Sequence, residues 1–127
     1  MRKKDIAIPD SELQVLKLLW ANDSMTAREL AESIYSSTDN SSVATISQLL
    51  KRLEAKDCVA RDRSQFAHRF SASVSQSDVA GRQLETIAKK LTDGSLVPFI
   101  THLVEAKKLS KKDKAAIRRL LEEDGSK

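Results

Sequence analysis

Apolar residues at helical spacing predict an amphipathic helix from Ser42 to Asp57. They form one face and are Val43, Ile46, Leu49, Leu50 and Leu53. The opposite face has small, hydrogen-bonding and cationic side chains and no carboxylate near its centre; its residues are Ala44, Ser47, Gln48, Lys51 and Ala55, flanked by Thr45 and Arg52. This composition is typical of a helix that enters a DNA major groove, because short side chains allow close approach, amides and hydroxyls bond base edges, and cations bind phosphates.

Two further helices are predicted before this segment. Asp10 is expected to cap the first helix, with Glu12 in a first turn that favours negative charge. A wide apolar face makes this helix central to the core. The second helix begins at the capping box Thr26-Ala-Arg-Glu29 and runs to about Tyr35.

After Asp57 the apolar residues no longer recur at helical spacing. Residues 58–72 predict two short strands around a charged turn. Three helices followed by a basic hairpin is the element order of a winged helix-turn-helix, in which the third helix enters the major groove and the hairpin contacts flanking phosphate or minor groove. Residues 41–70 contain six cations and three carboxylates: Lys51, Arg52, Lys56, Arg61, Arg63 and Arg69 against Glu54, Asp57 and Asp62. The surplus of positive charge therefore falls on the predicted docking surface.

From residue 75 onwards the pattern predicts three short amphipathic helices. Ser75 and Ser110 are expected caps, and Pro98 fits a first helical turn. Such helices cannot bury their apolar faces alone, so we expect a second copy of the chain to cover them. The residues predicted for this dimer interface are Leu84, Ile87, Leu91, Leu96, Phe99, Ile100, Leu103, Ile117, Leu120 and Leu121. The expected domains are a winged helix at 1–74 and a helical dimerisation domain at 75–127.

The composition limits the alternatives. With 127 residues the chain is expected to form one domain, or one small domain with an appendage, and its net charge of +4 permits an anionic partner. Aromatic residues make up only 4 %, which disfavours a stacking platform for single strands. The single Cys58 excludes an internal disulfide and is expected to be buried as a small apolar group. No long apolar run or signal-peptide core occurs, so a cytoplasmic protein is expected.

Catalytic or metal chemistry has no support in the sequence. His68 and His102 are far apart and have no Cys or paired carboxylate at ligand spacing, so both are expected to be structural. Three glycines cannot build a phosphate loop, and no nucleophile–base pair is suggested. We therefore expect no enzyme activity, no metal and no cofactor.

Several motifs occur together along nearly the whole chain. They are Ile8-Pro-Asp-Ser-Glu-Leu-Gln-Val-Leu-Lys-Leu-Leu-Trp20, Thr26-Ala-Arg-Glu-Leu-Ala31, Thr45-Ile-Ser-Gln-Leu-Leu-Lys-Arg-Leu53, and Asp93-Gly-Ser-Leu-Val-Pro98 with Leu109-Ser110. In this combination the chain resembles the penicillinase-repressor family of bacterial transcriptional regulators (the BlaI/MecI/CopY group). The resemblance implies a homodimeric repressor with an N-terminal winged helix that binds an inverted-repeat operator in double-stranded DNA.

The chain departs from that family at several places. Thr45 matches a family DNA contact, whereas Ser47 and Gln48 replace a cation and a hydroxyl, and Gln48 could pair bidentately with adenine. Asp57 stands where the family commonly has glycine at the end of the helix. The Asn-Phe pair that a sensor protease cuts in some members is absent from Phe99-Ile-Thr-His-Leu103, and the paired cysteines of copper-responsive members are also absent. Release by that protease, or by copper, is therefore unsupported.

The residues predicted to contact DNA lie on the helix and the hairpin. They are Ser42, Ala44, Thr45, Ser47, Gln48, Lys51, Arg52, Arg61 and Arg63. Arg61 and Arg63 are expected to act together, because strand residues two apart share a face. Phe66 at the hairpin tip is expected to fold back onto the domain, with packing into a minor groove as the alternative. The rival function is a winged helix that binds proteins and no DNA.

Overall fold

Six α-helices and three short strands form the part of the chain that the computed structural model describes, residues 8–124. The elements are α1 (Asp10–Ala21), β1 (Met25–Thr26), α2 (Ala27–Tyr35), α3 (Asn40–Ala55), β2 (Val59–Asp62), β3 (Arg69–Ala72), α4 (Gln76–Thr92), α5 (Val97–Glu105) and α6 (Lys111–Glu123). This is the mostly helical architecture predicted, a winged helix-turn-helix followed by C-terminal helices. The chain divides into two compact units, Met1–Leu84 and Glu85–Lys127.

The start of α1 differs from the prediction. Pro9 is the N-cap, and its carbonyl oxygen accepts the first helical bond from the Leu13 N–H at 2.9 Å. Asp10 is thus the first helical residue and does not cap the helix. Proline suits this position because its fixed φ, here −60°, leads into the helix without requiring an N–H. Asp10 and Glu12 both lie in the first turn, where the helix dipole favours negatively charged side chains.

The capping box of α2 is confirmed. The Thr26 hydroxyl accepts a bond from the Glu29 N–H at 3.1 Å, and the Glu29 carboxylate accepts one from the Thr26 N–H at 2.9 Å. Met25 and Leu30 are both buried. The helix ends at Tyr35, as predicted, and Ser36 closes it in a left-handed conformation with φ of 56°.

The helix predicted at Ser42–Asp57 lies two residues earlier along the chain. Asp39 is its N-cap, and the Asp39 carboxylate accepts a hydrogen bond from the Ser42 N–H at 2.8 Å. At the other end the Asp57 N–H donates to the Glu54 carbonyl and the Cys58 N–H donates to the Leu53 carbonyl, both at 2.9 Å. These two bonds form a Schellman motif, whose turning residue, Asp57, has φ of 61°.

The sheet has three antiparallel strands in the order β1-β3-β2, where the sequence predicted two. In the hairpin, or wing, Val59 pairs with Ala72 and Asp62 pairs with Arg69. The additional strand β1 pairs Met25 with Phe70. The wing is thereby joined to the segment that leads into α2.

The core of the first unit lies where α1, α2, α3 and the sheet meet. Its fully buried side chains include Leu16, Leu30, Ile46 and Leu53. Cys58 is fully buried in the same cluster, as predicted. The Trp20 indole N–H donates to the Val74 carbonyl at 2.8 Å, which fixes the chain after β3 against α1.

The predicted caps are present, Ser75 in the first unit and Ser110 in the second, but α5 and α6 of the second unit bury little. A capping box joins Ser110 and Asp113, and Pro98 lies in the first turn of α5. Neither α5 nor α6 contains a buried residue within the described part of the chain. Seven of the predicted interface residues are exposed, namely Leu84, Ile87, Leu91, Leu96, Ile100, Leu120 and Leu121, and Phe99, Leu103 and Ile117 are half-buried.

Candidate nucleic-acid interface

The outward face of α3 is the centre of the candidate site. Six of the side chains predicted to contact DNA are exposed there, namely Ala44, Thr45, Ser47, Gln48, Lys51 and Arg52, and Ser42 is half-buried. On the opposite face Ile46, Leu49, Leu50 and Leu53 are buried. The helix is therefore held by its apolar face and presents its polar face to solvent.

Hydrogen-bonding groups on this face differ in their availability. The Thr45 hydroxyl donates to the Ser41 carbonyl at 3.0 Å, which leaves its oxygen lone pairs able to accept. Ser47 and Gln48 make no side-chain hydrogen bond within residues 8–124. The Gln48 amide therefore has both its donor and its acceptor available for the edge of a base.

The N-terminus of α3 has a fixed negative charge. Bonds from the Ser42 backbone N–H and hydroxyl, and from the Ser37 hydroxyl, hold the pKa of the Asp39 carboxyl below its usual value. Asp39 was missed as a cap by the sequence analysis, although an Asp three residues before Ser42 is a recognisable N-cap signal.

Three of the six cations counted in residues 41–70 are ion-paired within the protein. Lys56 binds the buried carboxylate of Glu12, Arg61 binds Glu54, and Arg69 binds Glu29. The other three, Lys51, Arg52 and Arg63, make no ion pair with any residue that the structure describes. Only three of the six cations counted in the sequence are therefore without an ion pair among the described residues.

Arg61 lies against the protein instead of extending towards solvent. Its Nε donates to one oxygen of the Glu54 carboxylate at 3.0 Å and its Nη2 to the other at 2.7 Å. Nη1 lies 3.3 Å from Nδ1 of His68, and the guanidinium carbon is 4.8 Å from the centre of the Phe70 ring. These contacts occupy the guanidinium and fasten the wing to the last turn of α3. They also give His68 a structural contact.

Arg61 and Arg63 were expected to contact DNA together because strand residues two apart lie on the same face of the strand. β2 ends at Asp62, so that face does not extend to Arg63. Arg63 is exposed in the loop of the wing, whereas the side chain of Arg61 is only 21 % exposed. The two arginines consequently differ in what they can contact.

Glu54 lies among several cations. The hydrogen bonds from Arg61 lower the pKa of the Glu54 carboxyl most, burial opposes them, and the charges of Arg61, Arg63 and Lys51 lower it further. The Glu54 carboxylate therefore interacts with cations from the last turns of α3 and from the beginning of the wing loop. In the sequence Glu54 is recognisable only as a charged residue, because no sequence signal links helix residue 54 to strand residue 61.

The tip of the wing is ordered locally and ends in an exposed ring. The Asp62 carboxylate accepts a bond from the Ser64 N–H at 2.9 Å, which lowers the pKa of Asp62 and closes a turn. Phe66 has a relative exposure of 105 %. The prediction that Phe66 folds back onto the domain is therefore wrong. We call the exposed face of α3, Arg63 and residues 64–67 together the α3–wing surface.

Other kinds of site have no counterpart in the described residues. Within residues 8–124 no group of three His, Cys, Asp or Glu side chains is placed to hold a metal ion. No helix in this range is both long and apolar enough to cross a lipid bilayer.

Comparison with known proteins identifies the family. The sequence profile of the penicillinase repressor family matches residues 8–123. The chain is 24 % identical to the penicillinase repressor of Staphylococcus aureus over 95 % of both chains. It is 25 % identical to the penicillinase repressor of Bacillus licheniformis over 95 % of this chain and 94 % of that protein. The methicillin resistance regulatory protein MecI of Mammaliicoccus sciuri is 24 % identical over 95 % of this chain and 98 % of its own length. The chain therefore belongs to the penicillinase repressor family.

Proposed function

We propose that this protein is a homodimeric repressor that acts in the cytoplasm and binds an inverted-repeat operator through its α3–wing surface. Membership of the penicillinase repressor family makes it a DNA-binding transcriptional repressor and not an enzyme. The observation that supports the proposed site best is the exposed face of α3, where Gln48, Lys51 and Arg52 project without partners in the described structure.

Each residue that the sequence predicted to contact DNA has a proposed role. Gln48 forms two hydrogen bonds with an adenine edge, Thr45 accepts a hydrogen bond from a base donor because its proton is given to Ser41, and Ser47 bonds a neighbouring base or phosphate. Ser42 and Ala44 are small enough to let the helix approach the groove closely. Lys51, Arg52 and Arg63 bind phosphates. Arg61, whose guanidinium is held by Glu54, positions the wing and does not itself bind DNA.

The proposed dimer rests on the exposed apolar residues of the C-terminal helices. Leu91, Leu120 and Leu121 are each exposed in the single chain, as is Ile100 on α5. Burying such side chains stabilises an assembly by about 25 cal/mol per Å² of apolar surface removed from water. An inverted repeat requires the two α3 helices of such a dimer to lie about 34 Å apart, which is one turn of duplex, or a multiple of that distance.

Salt dependence of binding to duplex DNA tests this proposal. Lys51, Arg52 and Arg63 supply six phosphate contacts in a dimer, so the slope of log K against log salt should be about −5. Arg52→Ala should weaken binding to all duplexes alike and make the slope about two units shallower. Fluorescence anisotropy over a range of salt concentrations measures both quantities.

The control is Lys112→Ala, which removes an exposed lysine from α6, outside the α3–wing surface, and should leave affinity and slope unchanged. The rival function, a winged helix that binds only proteins, predicts no binding to duplex DNA at low salt. Absent or salt-independent binding by the parent protein would therefore overturn the proposal.

A further inference from the structure

Phe66 is the one feature of the wing that the contacts above do not explain. Of the three phenylalanines, Phe70 is buried at 5 % exposure and Phe99 is half-buried, whereas Phe66 is exposed at 105 %. Leaving so large an apolar side chain in water forgoes a substantial gain in free energy on burial. An aromatic ring at this site therefore points to a surface that covers it in a complex.

The structure fixes where this ring is presented. The bonds of Arg61 to Glu54 hold β2 against the last turn of α3, and the Asp62–Ser64 turn orders the first residues of the loop. Phe66 follows three residues after Arg63, whose charge acts on the same Glu54 carboxylate as that of Lys51. The ring lines a shallow hollow with Thr26, Ala27, Arg28, Ala67, His68 and Phe70, so it lies beside the exposed Arg28 and three residues after Arg63 in the chain.

The neighbours of Phe66 indicate what kind of surface covers it. Ser64, Gln65 and Ala67 are exposed polar or small residues, and the hollow beside the ring is lined by Thr26, Ala27, Arg28, Ala67, His68 and the buried Phe70, so the ring belongs to no broad apolar patch. A stable protein interface buries about 800 Å² on each partner and has a broad apolar centre, which one projecting ring does not provide. A single ring on a narrow hairpin beside unpaired cations suits a minor groove about 6 Å wide.

We propose that Phe66 is a wedge that enters the minor groove beside the major-groove site of α3 and partly unstacks one base step. The proposal rests on the proposed function and deepens it by naming a second determinant of operator choice. Because pyrimidine–purine steps are the easiest to unstack, the wedge favours a TA or CA step at a fixed distance from the bases under α3. The preference arises from deformation of the DNA and requires no hydrogen bond from the ring.

Operator binding by Phe66→Ala tests the wedge. The full-length variant should bind an operator selected from the host genome about tenfold more weakly than the parent protein. Because the ring is uncharged, its salt slope should equal that of the parent, whereas Arg63→Ala should give a slope about two units shallower. Tyr35→Ala is the matched control, since it removes an aromatic ring that is 43 % exposed at the end of α2, and it should bind as the parent does. Phe66 makes no core contact, so thermal unfolding of Phe66→Ala should match that of the parent.

2-Aminopurine placed at the flanking step reports unstacking directly. The parent protein and Tyr35→Ala should raise its fluorescence, and Phe66→Ala should not. Parent-like affinity of Phe66→Ala, or a fluorescence rise that persists without the ring, would overturn the wedge alone. Failure of the parent protein to bind any duplex would overturn the proposed function together with the wedge. A loss of affinity for Phe66→Ala with a changed salt slope would show that the ring only positions Arg63, and would also overturn the wedge.

Discussion

Asp57 ends α3 in a conformation that suits glycine better than aspartate. Its φ of 61° lies in the left-handed region, where a Cβ approaches the following carbonyl. Its carboxylate also lies at the C-terminal end of α3, where negative charge is unfavourable. Aspartate tolerates the left-handed region better than most residues, which explains how the Schellman motif forms here without glycine.

We predict that Asp57→Gly raises the free energy of unfolding by about 0.5 to 1 kcal/mol, since relief of strain exceeds the added entropy of the unfolded chain. Asp57→Val should lower it by about 1 kcal/mol, because a β-branched residue fits this region least. Denaturation by urea measures both changes. Asp23→Gly is the control, because Asp23 has no positive φ and glycine there should not stabilise. Equal effects at positions 57 and 23 would contradict the explanation by backbone strain.

Gln48 is the residue on which sequence preference should depend most. Gln48→Ala should relax discrimination at one base pair of each half-site by about tenfold while general affinity for duplex changes little. Selection of bound sites from random duplexes measures the preference. Gln14→Ala on α1 is a matched control, because it removes an exposed amide outside α3. A consensus that is unchanged by Gln48→Ala would show that the residue does not read a base.

At the scale of elements, the contact between α3 and the wing depends on the charge of Glu54. Its pKa is held below the ordinary value of 4.5, chiefly by the hydrogen bonds from Arg61. A carboxylate with a lowered pKa in the folded state stabilises that state fully above its unfolded pKa and loses this contribution as pH falls through the folded value.

We therefore predict that Glu54→Gln is less stable than the parent above about pH 5, and that the difference shrinks as the pH falls below 4.5. Urea denaturation at a series of pH values measures the difference. Arg61→Leu should remove the same pH-dependent component, so the double variant should show no more of it than either single variant. A constant difference between pH 7 and pH 3 would contradict this assignment.

Local patterns predicted which segments are helical but misplaced the caps of α1 and α3, and the other failures concern contacts between elements. The capping boxes at Thr26 and Ser110 are local signals and both are confirmed. Strand β1 was missed because its two residues show no alternation and form a strand only by pairing with β3. The proposed role of Arg61 changed for the same reason: a sequence shows a cation but not the carboxylate that the fold places beside it.

At the scale of the whole molecule, charge on the apolar face of α5 tests the dimer. Phe99 is one of the predicted interface residues, but it is half-buried, so a charge there would also disturb the single chain. Ile100 is 45 % exposed, and Ile100→Glu should yield monomers that remain folded and bind DNA more weakly. Light scattering gives the mass. Lys112→Glu introduces the same carboxylate on α6 away from its leucines and should stay dimeric. A dimer that tolerates Ile100→Glu would place the interface elsewhere.

The attachment of the wing to α3 through Arg61 and Glu54 has a consequence for the operators that this repressor can use. In the proposed complex the ion pair between Arg61 and Glu54 holds the wing against α3, so the number of base pairs between the bases under the helix and those under the wing should be set by the protein. Operators across a genome should then share that interval even where their base sequences differ. In the proposed dimer, inserted or deleted base pairs should be tolerated only between the two half-sites.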